Sequence, residues 1–61
     1  MIEFRLEQYE ENGMVAVVLY SDNKFIKKVA ECYEDDYAIM IGSALAKGSG
    51  SEFNSDIRVF Y

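Results

Sequence analysis

The 61-residue chain contains no histidine and a single cysteine, Cys32, and it is short of cations: six lysines and arginines stand against eleven acids, for a net charge of −5. Each shortage removes a class of chemistry. Without histidine there is no side chain whose ordinary titration suits acid–base work near neutral pH, and zinc loses its usual nitrogen ligand. One thiol cannot form an internal disulfide, so no covalent staple supports the fold, and a lone thiol fits a reduced, cytoplasmic setting. The acidic balance is the wrong sign for direct contact with nucleic acid or an anionic membrane. No apolar run approaches the length that spans a bilayer, and Met1 leads straight into "IEFRLEQY" without the basic and apolar regions of a signal peptide. The acids lack the spacing of a calcium loop. Gly48 and Gly50 lack the lysine and hydroxyl of a phosphate loop. The expectation is a protein that is not an enzyme and carries no cofactor and no metal.

What is present is apolar surface. About half of the residues are hydrophobic (51%), too many for a disordered chain. At this length one domain, 1–61, is the most the chain can build, and its core is marginal without help from a partner or a second copy.

Residues 2–9 alternate, with Ile2, Phe4 and Leu6 on one side and Glu3, Arg5 and Glu7 on the other, the period of a half-buried strand. Asn12-Gly13 then reads as a two-residue hairpin turn into the β-branched run "MVAVVLYS", pairing Leu6 with Leu19 and Tyr9 with Ala16. "KFIKKVAEC" admits two readings. As a helix it would carry lysines at its N-terminal end and acids at its C-terminal end, against the macrodipole. As a third strand after a tight Asp22-Asn23 turn it sets Phe25 opposite Tyr20. The helix falls better on 36–47, with Glu34, Asp35 and Asp36 before it, Lys47 in its last turn and Gly48 as its stop. A flexible connector over 48–55 and a closing strand, "DIRVFY", complete the chain. The expected architecture is α+β, a small antiparallel sheet with one helix in the order βββαβ. The alternative is ββαββ.

On that helix Tyr37, Met40, Ile41, Ala44 and Leu45 form the bulky stripe expected to face the core. Ala38, Ile39, Gly42 and Ala46 form an uncharged back, small enough for close approach by another element and expected to bury against a second copy in a homodimer. The sheet offers a second candidate surface. One helix covers one face, which leaves Tyr9, Tyr20 and Phe25 on the other as an apolar, tyrosine-rich patch. The acids fall in two groups, Glu7, Glu10 and Glu11 at the first hairpin and Glu31, Glu34, Asp35 and Asp36 before the helix. Carboxylates beside aromatic anchors suit a basic protein partner, in the manner of a nucleic-acid mimic, and Glu10, Glu11, Glu34, Asp35 and Asp36 with Tyr9, Tyr20 and Phe25 are the candidate contacts.

The stretch "KKVAECYEDDYAIMIGSALAK" resembles small proteins of bacteriophages with a strand ending in Val-Ala-x-Cys, an acidic turn, an aromatic residue and a small-residue helix. The matching positions are Val29, Ala30, Cys32, Asp35, Asp36, Tyr37, Gly42, Ala44 and Leu45. The resemblance implies a phage origin and a strand followed by a helix. The function expected from all of this is binding and modulation, or inhibition, of a host protein. The alternative is a structural or assembly protein that self-associates.

Overall fold

The computed structural model describes residues 1–61. It contains β1 (Ile2–Tyr9), β2 (Val15–Ser21), β3 (Lys24–Cys32), α1 (Asp35–Ser49) and β4 (Glu52–Phe60), a small α+β domain in the order βββαβ. The strands lie in the order β3-β2-β1-β4. Neighbours β1–β2 and β2–β3 are antiparallel, but β4 runs parallel to β1, so the sheet is mixed rather than wholly antiparallel. The helix is therefore a crossover that carries the chain from one edge of the sheet to the other. Nothing local in "DIRVFY" specifies this direction; it follows from where α1 delivers the chain.

The first hairpin is longer than Asn12-Gly13 alone would make it. Leu6 pairs with Val17 and Gln8 with Val15, two residues away from the expected register. Because the shift is even, every side chain keeps its face. Gly13 takes the left-handed conformation (φ 67°) but Asn12 does not. Instead the Gly13 N–H donates to the Tyr9 carbonyl at 2.9 Å, and the Asn12 side chain accepts the Met14 N–H at the same distance. The second turn is the tight one. Asp22 and Asn23 both have positive φ (52° and 68°), and Tyr20 pairs with Phe25 as expected. Beyond it β3 is irregular: Leu19 pairs with Lys27 and Val17 with Ala30, leaving Ile26 and Val29 as extra residues. The irregularity at Ile26 turns Val29 from the open face to the core side, where it packs on the cluster, and the one at Val29 returns Ala30 to that side beside it.

The helix lies on the sheet by its small residues rather than by the bulky stripe, of which only Ile41, half-buried, packs against the core. Ala38 and Ala46 are buried, at 0% and 3% exposed, and Gly42 is buried between them. Tyr37, Met40 and Leu45 point outward, at 57%, 56% and 40%. The cause is distance. A Cβ on Gly42 would stand 2.4 Å from the Phe53 ring, so the backbone of α1 sits almost on β4 and only small residues fit the contact. Ala38, Gly42 and Ala46, with Ile39 packed half-buried at the side, thus face the core of their own chain and offer no surface to a second copy. The core itself is Phe4, Leu6, Val15 and Val17 under Ala38 and Ala46, flanked by Leu19, Phe53 and Ile57.

The expected flexible connector over 48–55 is ordered secondary structure. The helix runs on to Ser49, and Gly50, not Gly48, adopts the left-handed stop (φ 69°). The Ser51 N–H donates to the Ala46 carbonyl at 2.8 Å and the Gly50 N–H to that of Lys47, the paired bonds of a Schellman ending. Next, β4 starts at Glu52 and bulges out after Asn54, whose side chain accepts the Asp56 N–H at 3.0 Å. At the other end Glu34 has the extended backbone of an N-cap but makes no side-chain cap bond. No helix is long and apolar enough to cross a membrane.

Candidate functional site

The sheet face away from the helix is built by alternation. Glu3, Arg5, Glu7 and Tyr9 of β1 share it with Ala16, Val18 and Tyr20 of β2, and Phe25, Arg58 and Phe60 join them from the flanking strands by register. At its centre Glu7 is only 2% exposed. Its carboxylate accepts the Tyr9 hydroxyl at 2.5 Å and the Tyr20 hydroxyl on its other oxygen. Donation to a carboxylate favours the neutral phenol. The hydrogen bond to Glu7, then burial, then the carboxylate's charge push the Tyr9 hydroxyl up to about 12. Tyr20 is raised by the same causes in the same order, with Arg5 and Arg58 opposing in part.

Around this trio the polar chains interlock. The Arg5 guanidinium donates to Glu3 at 2.5 Å and to Asn23 at 2.6 Å, and lies 4.1 Å over the Tyr20 ring. Tyr9 stacks on Phe60 with ring centres 5.4 Å apart, while Tyr20 meets Phe25 edge-on at 6.1 Å. Ala16 and Val18 lie fully buried beneath. The face expected to stand apolar and wet is thus roofed by the chain's own long side chains. Of its three candidate anchors, Tyr9 and Tyr20 are half-buried with their hydroxyls committed to Glu7, while Phe25 is 58% exposed.

The acids behave as a group. Gln8 pairs with both Val15 and Val59, and Val15 pairs with Cys32, so the first hairpin loop, the β3–α1 junction and the end of β4 emerge at one end of the sheet. Glu10 and Glu11 therefore share that end with Glu34, Asp35 and Asp36, all exposed, and with Glu31, which is paired to Lys28 at 3.0 Å. Lys47 in the last turn of α1 and Lys24 at the start of β3 lie towards the other end. Between the acidic end and the roofed face is a hollow of about 290 Å³, lined by Tyr9, Glu11, Val18, Phe25, Lys28 and Glu31. A second, of about 160 Å³, lies between Tyr9, Glu10, Glu11, Phe60 and Tyr61. The smaller combines aromatic walls with the carboxylates of Glu10 and Glu11, which is the chemistry that holds a lysine or arginine side chain. The larger already holds the chain's own Lys28, paired to Glu31.

Sequence reasoning missed Glu7 as the organising group and Phe60 and Tyr61 as neighbours of Tyr9. Alternation already placed Glu7 among tyrosines on one face. The contact of Phe60 with Tyr9 depends on the parallel pairing of β1 with β4, for which the local pattern holds no signal. No three acidic or thiol side chains are arranged to hold a metal ion, and Cys32 is free and half-buried. Neither a protein-family model, nor a curated protein, nor a solved structure matches the chain.

Proposed function

We propose that the chain is a non-enzymatic binding protein whose acidic end docks on a basic surface of another protein and modulates or inhibits it. The observation that supports this is the meeting of two acid groups, distant in sequence, at one end of the sheet beside hollows walled by Tyr9, Phe25 and Phe60. Carboxylates steer a cationic partner in, and the hollow between Glu10, Glu11 and Phe60 gives one of its lysine or arginine side chains somewhere to lodge. A protein that normally binds nucleic acid presents such a surface, so imitation of phosphates is the form of the proposal we favour. With the resemblance to phage proteins, the setting is the cytoplasm of a host cell and the target a host factor.

The test is charge reversal. The immobilised chain should retain a basic host protein from bacterial lysate, release it at modest salt and lose it to competing nucleic acid. Asp35→Lys with Asp36→Lys should abolish retention while costing only about 0.3–1 kcal/mol of stability per site, since the helix end loses charge but no side-chain cap. Retention unchanged by the reversal, or insensitive to salt, overturns the reading. A second reading, a self-associating assembly protein, draws its support from the open edge of β4.

A further inference from the structure

The sheet has two edges, and they are built differently. The β3 edge carries two irregularities, at Ile26 and Val29, and three exposed lysines, Lys24, Lys27 and Lys28. Bulges and lysines are the devices by which an edge strand refuses a further strand. The β4 edge has neither from Ile57 onward. Its one irregularity comes earlier, and Ile57–Phe60 then pair with Leu6–Tyr9 without interruption, carrying one charge, Arg58. Val59 and Phe60 are 46% and 42% exposed, and Tyr61 is 97% exposed. The Phe60 carbonyl is turned inward, accepting the Glu10 N–H at 2.9 Å. By the alternation of a strand, the backbone groups of Ile57, Val59 and Tyr61 point away from the sheet, where no strand meets them.

We propose that this edge is the docking site for a second copy of the chain, the two β4 strands pairing antiparallel across a two-fold axis at Val59 to give one continuous eight-stranded sheet. The sequence of the edge is complementary to itself in that register. Val59 meets Val59, Ile57 meets Tyr61 on the helix side, and Arg58 meets Phe60 on the other side, a cation against an aromatic face. No like charges oppose each other. Moving the axis to Arg58 would set two guanidiniums directly opposite, which disfavours that register. An isologous contact of this kind needs one patch only, and the chain has one. The dimer leaves Glu34, Asp35, Asp36 and the hollow at Phe25 and Lys28 free but takes up Phe60 and Tyr61, which wall the smaller hollow beside Glu10 and Glu11. The Val59 variants test it apart from the charge reversal that tests the proposed function.

Sedimentation of the purified chain at high micromolar concentration should give twice its 7.0 kDa mass. Val59→Lys and Val59→Pro should each return the monomer, with circular dichroism unchanged, because the Val59 N–H takes no part in the pairing with β1 and proline is tolerated at an outward edge position. With Cys32→Ser in the background, Val59→Cys should form a covalent dimer on mild oxidation, since facing residues in a hydrogen-bonded pair stand about 5.5 Å apart, within disulfide reach. A monomer at every concentration overturns the proposal. So does a dimer that survives both Val59 variants but dissociates in Met40→Lys, which would place the contact on the outer face of α1.

Discussion

Tyr20 on β2 and Tyr9 on β1 donate their hydroxyls to the two oxygens of one buried carboxylate, that of Glu7. A carboxylate can accept both phenols; an apolar residue can accept neither. Glu7→Ala should therefore destabilise the fold by roughly 2–4 kcal/mol in chemical denaturation, from two orphaned hydroxyls and a vacated volume. Glu7→Gln keeps one acceptor and offers its amide to the other phenol, at a cost of about 1 kcal/mol. Equal losses in the two variants would show that Glu7 fills space without organising the face.

The same contacts fix a response to alkali. Tyr9 is raised to about 12 and Tyr20 is raised in the same direction, whereas the phenols of the unfolded chain ionise near 10. Above pH 10 the unfolded state thus binds fewer protons than the folded one, and stability falls with rising pH. Their contribution should be complete below pH 10 and drain away as pH passes through about 12. Phenolate absorbance should show a late-titrating pair that disappears in Glu7→Ala. No late phase in the wild type would refute the assignment.

Gly42→Ala should destabilise, against the helix scale. In an open helix the change is worth roughly 1 kcal/mol of stability. Here the new methyl would stand 2.4 Å from the Phe53 ring, and overpacking of this kind costs about 1–3 kcal/mol. Adding Phe53→Leu should recover part of the loss. A rise in melting temperature for Gly42→Ala alone would mean that the ring yields freely.

At Glu34 the reverse substitution logic applies. Its backbone has the extended N-cap conformation (φ −117°, ψ 142°), yet its side chain caps nothing. Glu34→Ser should stabilise by about 0.5–1 kcal/mol, with the hydroxyl accepting a first-turn N–H. Thermal unfolding that leaves Glu34→Ser no better than Glu34→Ala would contradict this.

The elements up to the helix were legible from the sequence because each rests on local rules: alternation in "IEFRLEQY", the charge order that argues against a helix over "FIKKVAEC", and acids before and a lysine late in α1. The ordered 48–55, expected as a flexible connector, was not. What stayed hidden was set by distance between elements. The helix face could not be read from bulk, since Ala38, Gly42 and Ala46 are inside and Phe53 leaves no room for a side chain at Gly42. Val29 changed sides because β3 carries an extra residue at Ile26, and no residue type announces that. Of the acids grouped at the first hairpin, Glu7 lies buried under Tyr9 and Tyr20, apart from the exposed Glu10 and Glu11, and the nearness of those two to Glu34, Asp35 and Asp36 followed only from the strand register.

The pairing of β1 with β4 carries a consequence for how the chain reaches this shape. Glu3 lies beside Glu52, so the two contacts that β1 makes in the sheet differ greatly in the loop each must close. The β1–β2–β3 meander can zip from its turns, while the β1–β4 ladder waits until nearly the whole chain has been gathered, and such non-local pairing is slow. Pulse-labelled hydrogen exchange should find amides of the Val15–Ser21 strand protected before those of Ile57–Phe60; simultaneous protection would reject this order. During that interval Phe4 and Leu6 lie on an unguarded strand, and any loose β4 nearby, the chain's own or a neighbour's, is a competent mate. Slow refolding at high concentration therefore carries the hazard of strand exchange between molecules.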